Sequence, residues 1–289
     1  MTHFDFSPQA MDALAHADVA RALAEDVGTG DLTAGLIDPQ RRARARVLVR
    51  ESAVLCGSAW ATAAVQALDP SATLTWHAAE GERVQADTVV LHMEGQAQAL
   101  LTAERTALNF LQLLSAVATH TASFVAAIAE VPGNRAVIVD TRKTLPGLRL
   151  AQKYAVRAGG GTNHRIGLFD AVLIKENHIA AAGGVTAALQ RAQAVAAQAQ
   201  FVEIEVETLA QLDEALGSGA RMVLLDNMTF AQMRQAVALN AGRAILEVSG
   251  GVNLDTVREI AATGVDRISI GALTKDVRAT DFSMRFEDL

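Results

Sequence analysis

The chain has 289 residues, of which 51% are hydrophobic and only 4% aromatic, so its core must consist mainly of aliphatic side chains. Such a core suits helices packed on a parallel sheet that is buried on both faces. The net charge of −7 argues against a general nucleic-acid-binding protein, and the single cysteine, Cys56, excludes an intrachain disulfide and favours a reducing compartment.

The amino-terminal segment predicts a helix followed by short strands. Apolar positions from Pro8 to Glu25 have helical spacing, and the first twenty residues lack the features of a secretory signal. Arg42 to Leu55 alternates as strands do, and Ser58 to Leu68 is again helical. Short strands separated by Glu-Gly turns follow. They are similar to the hairpins of lipoyl or biotin carrier domains, but no lysine precedes Lys143, which excludes that function.

A long apolar segment predicts a helix from Ala103 to Ile128 with Thr102 as its amino-terminal cap. Polar residues interrupt the apolar run, so a buried helix is expected rather than a membrane span. Arg105 would lie in the first turn, where a cation opposes the helix dipole. It either pairs with Glu104 at the surface or reaches for an anion.

From Asn134 onward, short apolar runs alternate with helical stretches. The predicted strands are 136–139, 171–174, 201–206, 222–225, 244–248 and 267–270, with 162–164 as a candidate seventh. The predicted helices are 148–158, 185–197, 209–216, 230–239 and 254–262. Repeated strand–helix units of this length predict an α/β fold with a closed or nearly closed parallel barrel.

Functional groups of such barrels lie where the strands end at their carboxyl termini. Polar or glycine residues follow every predicted strand: Asp140-Thr141-Arg142-Lys143, Lys175-Glu176-Asn177-His178, Glu205 and Glu207, Asp226-Asn227, Ser249-Gly250-Gly251, and Gly271-Ala272. The segment from Thr141 to Lys175 contains seven Lys or Arg residues and only one acidic residue, Asp170, although the chain as a whole is acidic. This pattern predicts a pocket for a small polyanion.

Three carboxylates share one face of a predicted strand: Glu203, Glu205 and Glu207. They should face the barrel interior and meet cations, a divalent ion or sugar hydroxyls; the alternative is a buried ion-pair network that only stabilises the barrel. Ser249-Gly250-Gly251 would open onto the helix from Leu254 as a phosphate cradle.

Other polar residues of the basic segment have two interpretations. The cations Arg149, Lys153 and Arg157 form one helical stripe, for which a solvated or subunit-facing surface is favoured over ligand contact. Tyr154 and His178 are expected to serve packing or support. His164-Arg165, in contrast, follows three glycines, an arrangement that usually allows a close backbone approach.

Several long motifs, in order, carry a family resemblance: DTRKTLPGLR, GGGTNHRIGLFDAVLIKENHI, VLLDNM, EVSGGV and ISIGALTK. The chain resembles the quinolinate phosphoribosyltransferases over almost its whole length. The resemblance implies an incomplete, about seven-stranded α/β barrel over residues 116–275. It also implies an amino-terminal open α/β sandwich domain over residues 1–115. The closing segment, residues 276–289, is too short for a strand–helix unit of its own and should pack on that domain.

The resemblance also implies the reaction: quinolinate and phosphoribosyl pyrophosphate give nicotinate mononucleotide, pyrophosphate and carbon dioxide, with Mg²⁺ and no organic cofactor. Both substrates are polyanions, which would explain the basic segment. A cytoplasmic homo-oligomer, dimer or hexamer, without nucleic-acid or membrane partners is expected.

The same resemblance implies roles for individual residues. Arg142, His164 and Arg165 would bind the dicarboxylate, with Lys143 and Lys175 near the reacting groups. Glu205 and Asp226 would face the ribose hydroxyls and Mg²⁺, directly or through water, with Glu207 as an alternative to Glu205. The remaining substrate contacts would be Thr141, Ser249, Gly250, Gly251, Gly271 and Ala272. Arg105 would enter the site of a neighbouring subunit.

Three other functions remain open from the sequence. A paralogous phosphoribosyltransferase of the molybdenum-associated type would use the same scaffold for another acceptor. A barrel aldolase or decarboxylase would use Lys175 as a Schiff base. The third is a non-catalytic anion-binding protein. The acidic and basic residues at the strand ends argue against this third function.

Overall fold

The computed structural model describes residues 4–287, which form two compact units. The helices are α1 (Pro8–Val27), α2 (Ser58–Leu68), α3 (Ala97–Ala129), α4 (Arg149–Ala158), α5 (Glu176–Ala182), α6 (Val185–Ala196), α7 (Leu209–Gly217), α8 (Phe230–Asn240), α9 (Val257–Ala261) and α10 (Ala272–Lys275). The strands are β1 (Arg42–Val49), β2 (Ala53–Val54), β3 (Thr73–Trp76), β4 (Arg83–Val84), β5 (Thr88–Gln96), β6 (Val137–Val139), β7 (Val172–Ile174), β8 (Val202–Val206), β9 (Met222–Asp226), β10 (Ile245–Ser249), β11 (Arg267–Ser269) and β12 (Phe282–Glu287).

The amino-terminal unit is built on a four-stranded antiparallel sheet with the order β12-β1-β5-β3. Strand β1 has the predicted alternation, because its alanines and valines are buried and the arginines between them are exposed. The carboxyl-terminal strand β12 pairs with β1. Helix α4 also belongs to this unit, although the predicted boundary places it with the barrel: the Tyr154 ring lies 5.7 Å from that of Trp60.

The second unit, the barrel unit, is built on a six-stranded parallel sheet with the order β6-β11-β10-β9-β8-β7. All six predicted strands are confirmed to within one residue at each end. The candidate seventh strand is reduced to a single bridge between Thr162 and Val139. Strands β6 and β7 remain the sheet edges, so the barrel is incomplete, as the resemblance implied. Strand β9 lies in the middle of the sheet, and its four apolar residues are all buried.

Helix α3 begins at Ala97, so the prediction of Thr102 as its cap is wrong. Ala97 and Leu100 are fully buried and favour the helix, while the Thr102 hydroxyl donates to Asp31 (2.8 Å). Arg105 therefore lies in the third turn, where the helix dipole no longer opposes it. By length and composition α3 is able to cross a membrane, but half of its most apolar 18-residue window is buried in the protein, as in a core helix.

Two further predictions are wrong in detail. Helix α9 begins at Val257 rather than Leu254, because the Asn253 side chain accepts bonds from the two backbone N–H groups that follow Leu254 and so forms a turn. Lys153 is completely buried, so it does not belong to a surface stripe. Arg157 is exposed, with its guanidinium 4.9 Å from the centre of the Phe6 ring.

Cys56 should be unreactive in the folded protein. Its side chain is fully buried, and this burial raises the pKa of its thiol well above the ordinary value, so the nucleophilic thiolate is suppressed. We expect no reaction with a thiol-specific disulfide reagent in buffer and one reactive thiol per chain in denaturant. Rapid labelling of the native protein would contradict this prediction.

Candidate active site

A cavity of about 320 Å³ opens at the carboxyl ends of the barrel strands. Its lining residues are Thr141, Arg142, Lys143, His164, Arg165, Leu173, Lys175, Glu205, Leu224, Glu247, Ser249 and Ser269. Eight of these belong to the predicted substrate contacts, although they come from five separate segments of the sequence. The sheet order brings them together.

The other predicted barrel residues do not line this cavity but adjoin residues that do. Asp226 pairs with Ser249 across the two central strands β9 and β10. A methyl group at Gly271 would lie 2.9 Å from Cδ of Lys143, so the absence of a side chain at Gly271 leaves room for the side chain of Lys143. Ala272 begins α10 directly after it. Arg105 lies in the amino-terminal unit and is exposed to solvent.

Two guanidinium groups form one wall of the cavity. The Nε atom of Arg142 is buried and has no hydrogen-bond partner among the described residues. Burial and the charge of Arg142 lower the pKa of Arg165, whereas Asp170 and Glu203 raise it. Repelling cations and an unused donor indicate a site prepared for an anion.

The two lysines of the cavity differ in their surroundings. Lys143 follows β6 with an exposed side chain, and its carbonyl oxygen accepts a bond from the Thr274 hydroxyl (2.8 Å). Lys175 follows β7, and its Nζ lies 3.1 Å from Oε2 of Glu205. Because Nζ of Lys175 already donates to this carboxylate, the nitrogen that Schiff-base chemistry would need is engaged by the protein itself.

Glu205 and Asp226 form a carboxylate pair on neighbouring strands. Burial raises the pKa of Glu205, Lys175 opposes this shift, and the negative charge of Asp226 adds to it. The Asn227 amide donates to Asp226 (2.8 Å). Glu207, the alternative acidic residue, is exposed and does not line the cavity.

A buried network at the cavity contains two carboxylates, Glu203 and Glu247, that the sequence-based assignment of site residues left out. His164 Nε2 lies 2.8 Å from Glu203 and 3.5 Å from Glu247, and Glu247 accepts a bond from Arg267 (2.7 Å). Burial raises the pKa of Glu203 to about 7 and also raises that of Glu247. A lone carboxylate inside the apolar strand 245–249 was the available sequence signal for Glu247.

Metal binding by this buried network is disfavoured, although its histidine and two glutamates are the one such group within residues 4–287 close enough to share an ion. Arg267 already pairs with Glu247, and the histidine bonds to Glu203. A divalent ion would have to displace both interactions. Glu203 and Glu247 are therefore better described as members of a hydrogen-bonded charge network.

The family models that match this chain cover nearly all of it. Residues 31–115 match the model described as "Quinolinate phosphoribosyl transferase, N-terminal domain", and residues 117–285 match the corresponding C-terminal domain.

Individual relatives agree with these matches. A probable nicotinate-nucleotide pyrophosphorylase [carboxylating] of Bacillus subtilis is 38% identical over 90% of this chain and 89% of its own length. A quinolinate phosphoribosyltransferase [decarboxylating] of Nicotiana glauca is 39% identical over 92% of this chain and 80% of its own. The solved nicotinate-nucleotide pyrophosphorylase of Francisella tularensis superposes with a TM-score of 0.93 and 41% identity, covering 99% of this chain and 100% of that structure.

Proposed function

This chain belongs to the quinolinate phosphoribosyltransferase family, and from that premise we propose how its barrel cavity performs the family reaction. The enzyme transfers the phosphoribosyl group of phosphoribosyl pyrophosphate to quinolinate and releases pyrophosphate and carbon dioxide, a step of NAD biosynthesis. The observation that carries the assignment of the site is the grouping of four cationic side chains with Glu205 around one cavity, with Asp226 close enough to raise the pKa of Glu205.

The quinolinate carboxylates fit the arginine wall. Two adjacent carboxylates would neutralise the neighbouring guanidinium groups of Arg142 and Arg165 and provide an acceptor for the buried Nε of Arg142. His164 and Thr141 line the same cavity. Lys175 lies beside Glu205 and would contact the reacting groups.

The phosphate end of the second substrate fits the glycine loops. Ser249 ends β10 and is followed by Gly250 and Gly251, and Gly271 and Ala272 follow β11. Both glycines of the first loop have positive φ, +101° and +61°, which lets backbone N–H groups approach an anion. Phosphate sites of α/β barrels often use the loops of two neighbouring strands in this way.

Magnesium fits Glu205 and Asp226 better than the buried network. Mg²⁺ usually takes one or two carboxylates, water and substrate phosphates, and these two carboxylates repel each other in its absence. They would hold the ion directly or through water. When bound, Mg²⁺ partly neutralises the pyrophosphate.

The side chains of the cavity account for the two chemical steps, the transfer of the ribose and the loss of carbon dioxide. The pyridine nitrogen forms a bond to C1 of the ribose while the bond to pyrophosphate breaks, and Lys143 stabilises the departing charge. Glu205 and Asp226 stabilise the positive charge that develops on the ribose. The product ring is a pyridinium, which accepts the electron pair left when the neighbouring carboxylate departs as carbon dioxide. The ring carbon then takes a proton, so no organic cofactor is required.

The decisive experiment incubates the protein with carboxyl-labelled quinolinate, phosphoribosyl pyrophosphate and Mg²⁺. Release of labelled carbon dioxide should require all three, and chelation of the metal should stop it. An enzyme for another acceptor would bind phosphoribosyl pyrophosphate but release no label. Inactivation by borohydride with a carbonyl substrate would instead support the Schiff-base alternative.

We also propose that the enzyme is a cytoplasmic homo-oligomer, a dimer or a hexamer, in which exposed Arg105 completes a neighbour's site. Arg105→Ala and Lys143→Ala should each be inactive alone. When both are co-expressed, mixed dimers carry one intact site, so about a quarter of wild-type activity should return if chains pair at random. A mixture that stays inactive would contradict the contribution in trans.

Gly250→Ala should weaken binding of phosphoribosyl pyrophosphate. A methyl group there would lie 2.3 Å from Oδ1 of Asn227, in addition to the strain of positive φ. We expect the KM for this substrate to rise about tenfold, because the clash with Asn227 adds to a backbone strain of about 1–3 kcal/mol. Gly251→Ala is the matched control: φ is again positive, but nothing lies within 4 Å of the new methyl group, so its effect should be smaller. Equal effects of the two variants would contradict the steric explanation.

A further inference from the structure

Both ring nitrogens of His164 are engaged by the protein itself. The backbone N–H of Arg165 donates to Nδ1 (2.8 Å). Because a backbone N–H can only donate, Nδ1 carries no proton. Nε2 therefore carries the ring proton and donates it to Oε2 of Glu203 (2.8 Å).

Asp140 and Phe201 also hold His164 in place, the first through its backbone and the second through its ring. The backbone N–H of His164 donates to Oδ1 of Asp140 (2.8 Å), and the Phe201 ring packs edge-to-face at 5.3 Å between centroids. Only 8% of His164 is exposed. Turning the ring toward a substrate would break two buried hydrogen bonds, each costly to leave unmade.

The carboxylate of Glu203 is buried at an energetic cost that its role must explain. It has no exposed surface, and its Oε1 atom has no partner among the described residues. Burying a polar atom without a partner costs about 1–3 kcal/mol. An aliphatic side chain would avoid this cost but would leave Nε2 of His164 without an acceptor.

We propose that Glu203 is a positioning residue that holds His164 as a neutral ring protonated on Nε2, and that His164 in turn fixes the backbone of Arg165. The inference rests on the proposed function, because it assigns the dicarboxylate to Arg142 and Arg165. His164 then shapes the cavity with its ring edge and does not pair with the substrate as a cation. Glu203 thereby governs the direction from which the Arg165 guanidinium reaches the substrate.

Nitrogen NMR tests the state of the ring directly. The full chain, labelled with ¹⁵N-histidine, is measured at pH 7 with and without quinolinate, and His164→Gln assigns the signal among the seven histidines. We expect one protonated and one unprotonated nitrogen, with the proton on Nε2 in both samples. An imidazolium signal, or a proton on Nδ1, would overturn the proposal. Since no turnover is needed, this result is independent of the success of the labelled carbon dioxide assay.

Kinetics test the role of Glu203. Glu203→Gln keeps an oxygen that accepts the bond from His164, so the KM for quinolinate should stay within about threefold of wild type. Glu203→Leu removes the acceptor, and this KM should rise about tenfold or more, while the KM for phosphoribosyl pyrophosphate changes little. Equal effects of the two variants, or an equal rise of both KM values, would overturn the proposal. Should the leucine variant fail to fold, the NMR result on the wild-type chain still decides.

Discussion

Replacing Lys143 with alanine is expected to lower kcat by about 10³-fold, the scale on which enzymes lose activity when a charge-stabilising donor is removed. Lys143 follows β6 and extends past Gly271 into the cavity where the pyrophosphate should depart. Its side chain is exposed, and the bond from Thr274 is made to its backbone, which alanine retains. The variant should therefore unfold at the wild-type temperature. Initial rates of labelled carbon dioxide release and a thermal melt measure the two quantities.

Arg221→Ala is the matched control for this loss. Arg221 precedes β9 at the opposite end of the same sheet, so its removal changes the net charge equally without touching the cavity. Near-full activity is expected for this variant. The role given to Lys143 would be refuted if Lys143→Ala kept its activity within a few fold of wild type.

Replacing Arg142 with glutamine is expected to raise the KM for quinolinate by about 10²-fold, because bonds between charged partners contribute about 1.5–3 kcal/mol each. The KM for phosphoribosyl pyrophosphate should change much less. Since Nε of Arg142 is buried without a partner in the described part of the chain, its removal should not lower the melting temperature. Competition between quinolinate and a monocarboxylate analogue would show whether the second carboxylate has lost its partner.

Arg142→Lys separates charge from geometry. Lysine keeps the positive charge but loses the planar fork that matches a carboxylate, so the KM should fall between those of wild type and Arg142→Gln. A lysine variant as active as wild type would show that only charge matters at this position. A rise in both KM values together would place Arg142 at the other substrate or at the ribose.

Chemistry at the strand ends was predictable from the sequence because it follows a local pattern. A short apolar run in this alternation is a buried strand, and the residues after it lie at the functional end of the barrel. Thr141, Arg142, Lys143 and Lys175 were found in this way, and all four line the cavity. Their local sequence position carries the information.

Predictions failed where a local signal was outweighed by packing. Thr102 has a good capping side chain, but the buried Ala97 and Leu100 extend α3 beyond it. Lys153 has a charge that suggests a surface, yet α4 buries it completely in the amino-terminal unit. In both cases the partners that decide the outcome lie elsewhere in the chain.

The sequence alone determined the family, the order of strands and helices, and the cationic character of the site, because these depend on residue types and short spacings. Only the tertiary structure decided which side chains meet. His164 contacts Glu203 and Glu247, which lie 39 and 83 residues further along the chain on two strands separated by β9. That contact depends on the order and register of the sheet, and burial there changes the pKa of both carboxylates. Proximity across strands and the loss of water are properties of the packed barrel, and no short segment encodes them.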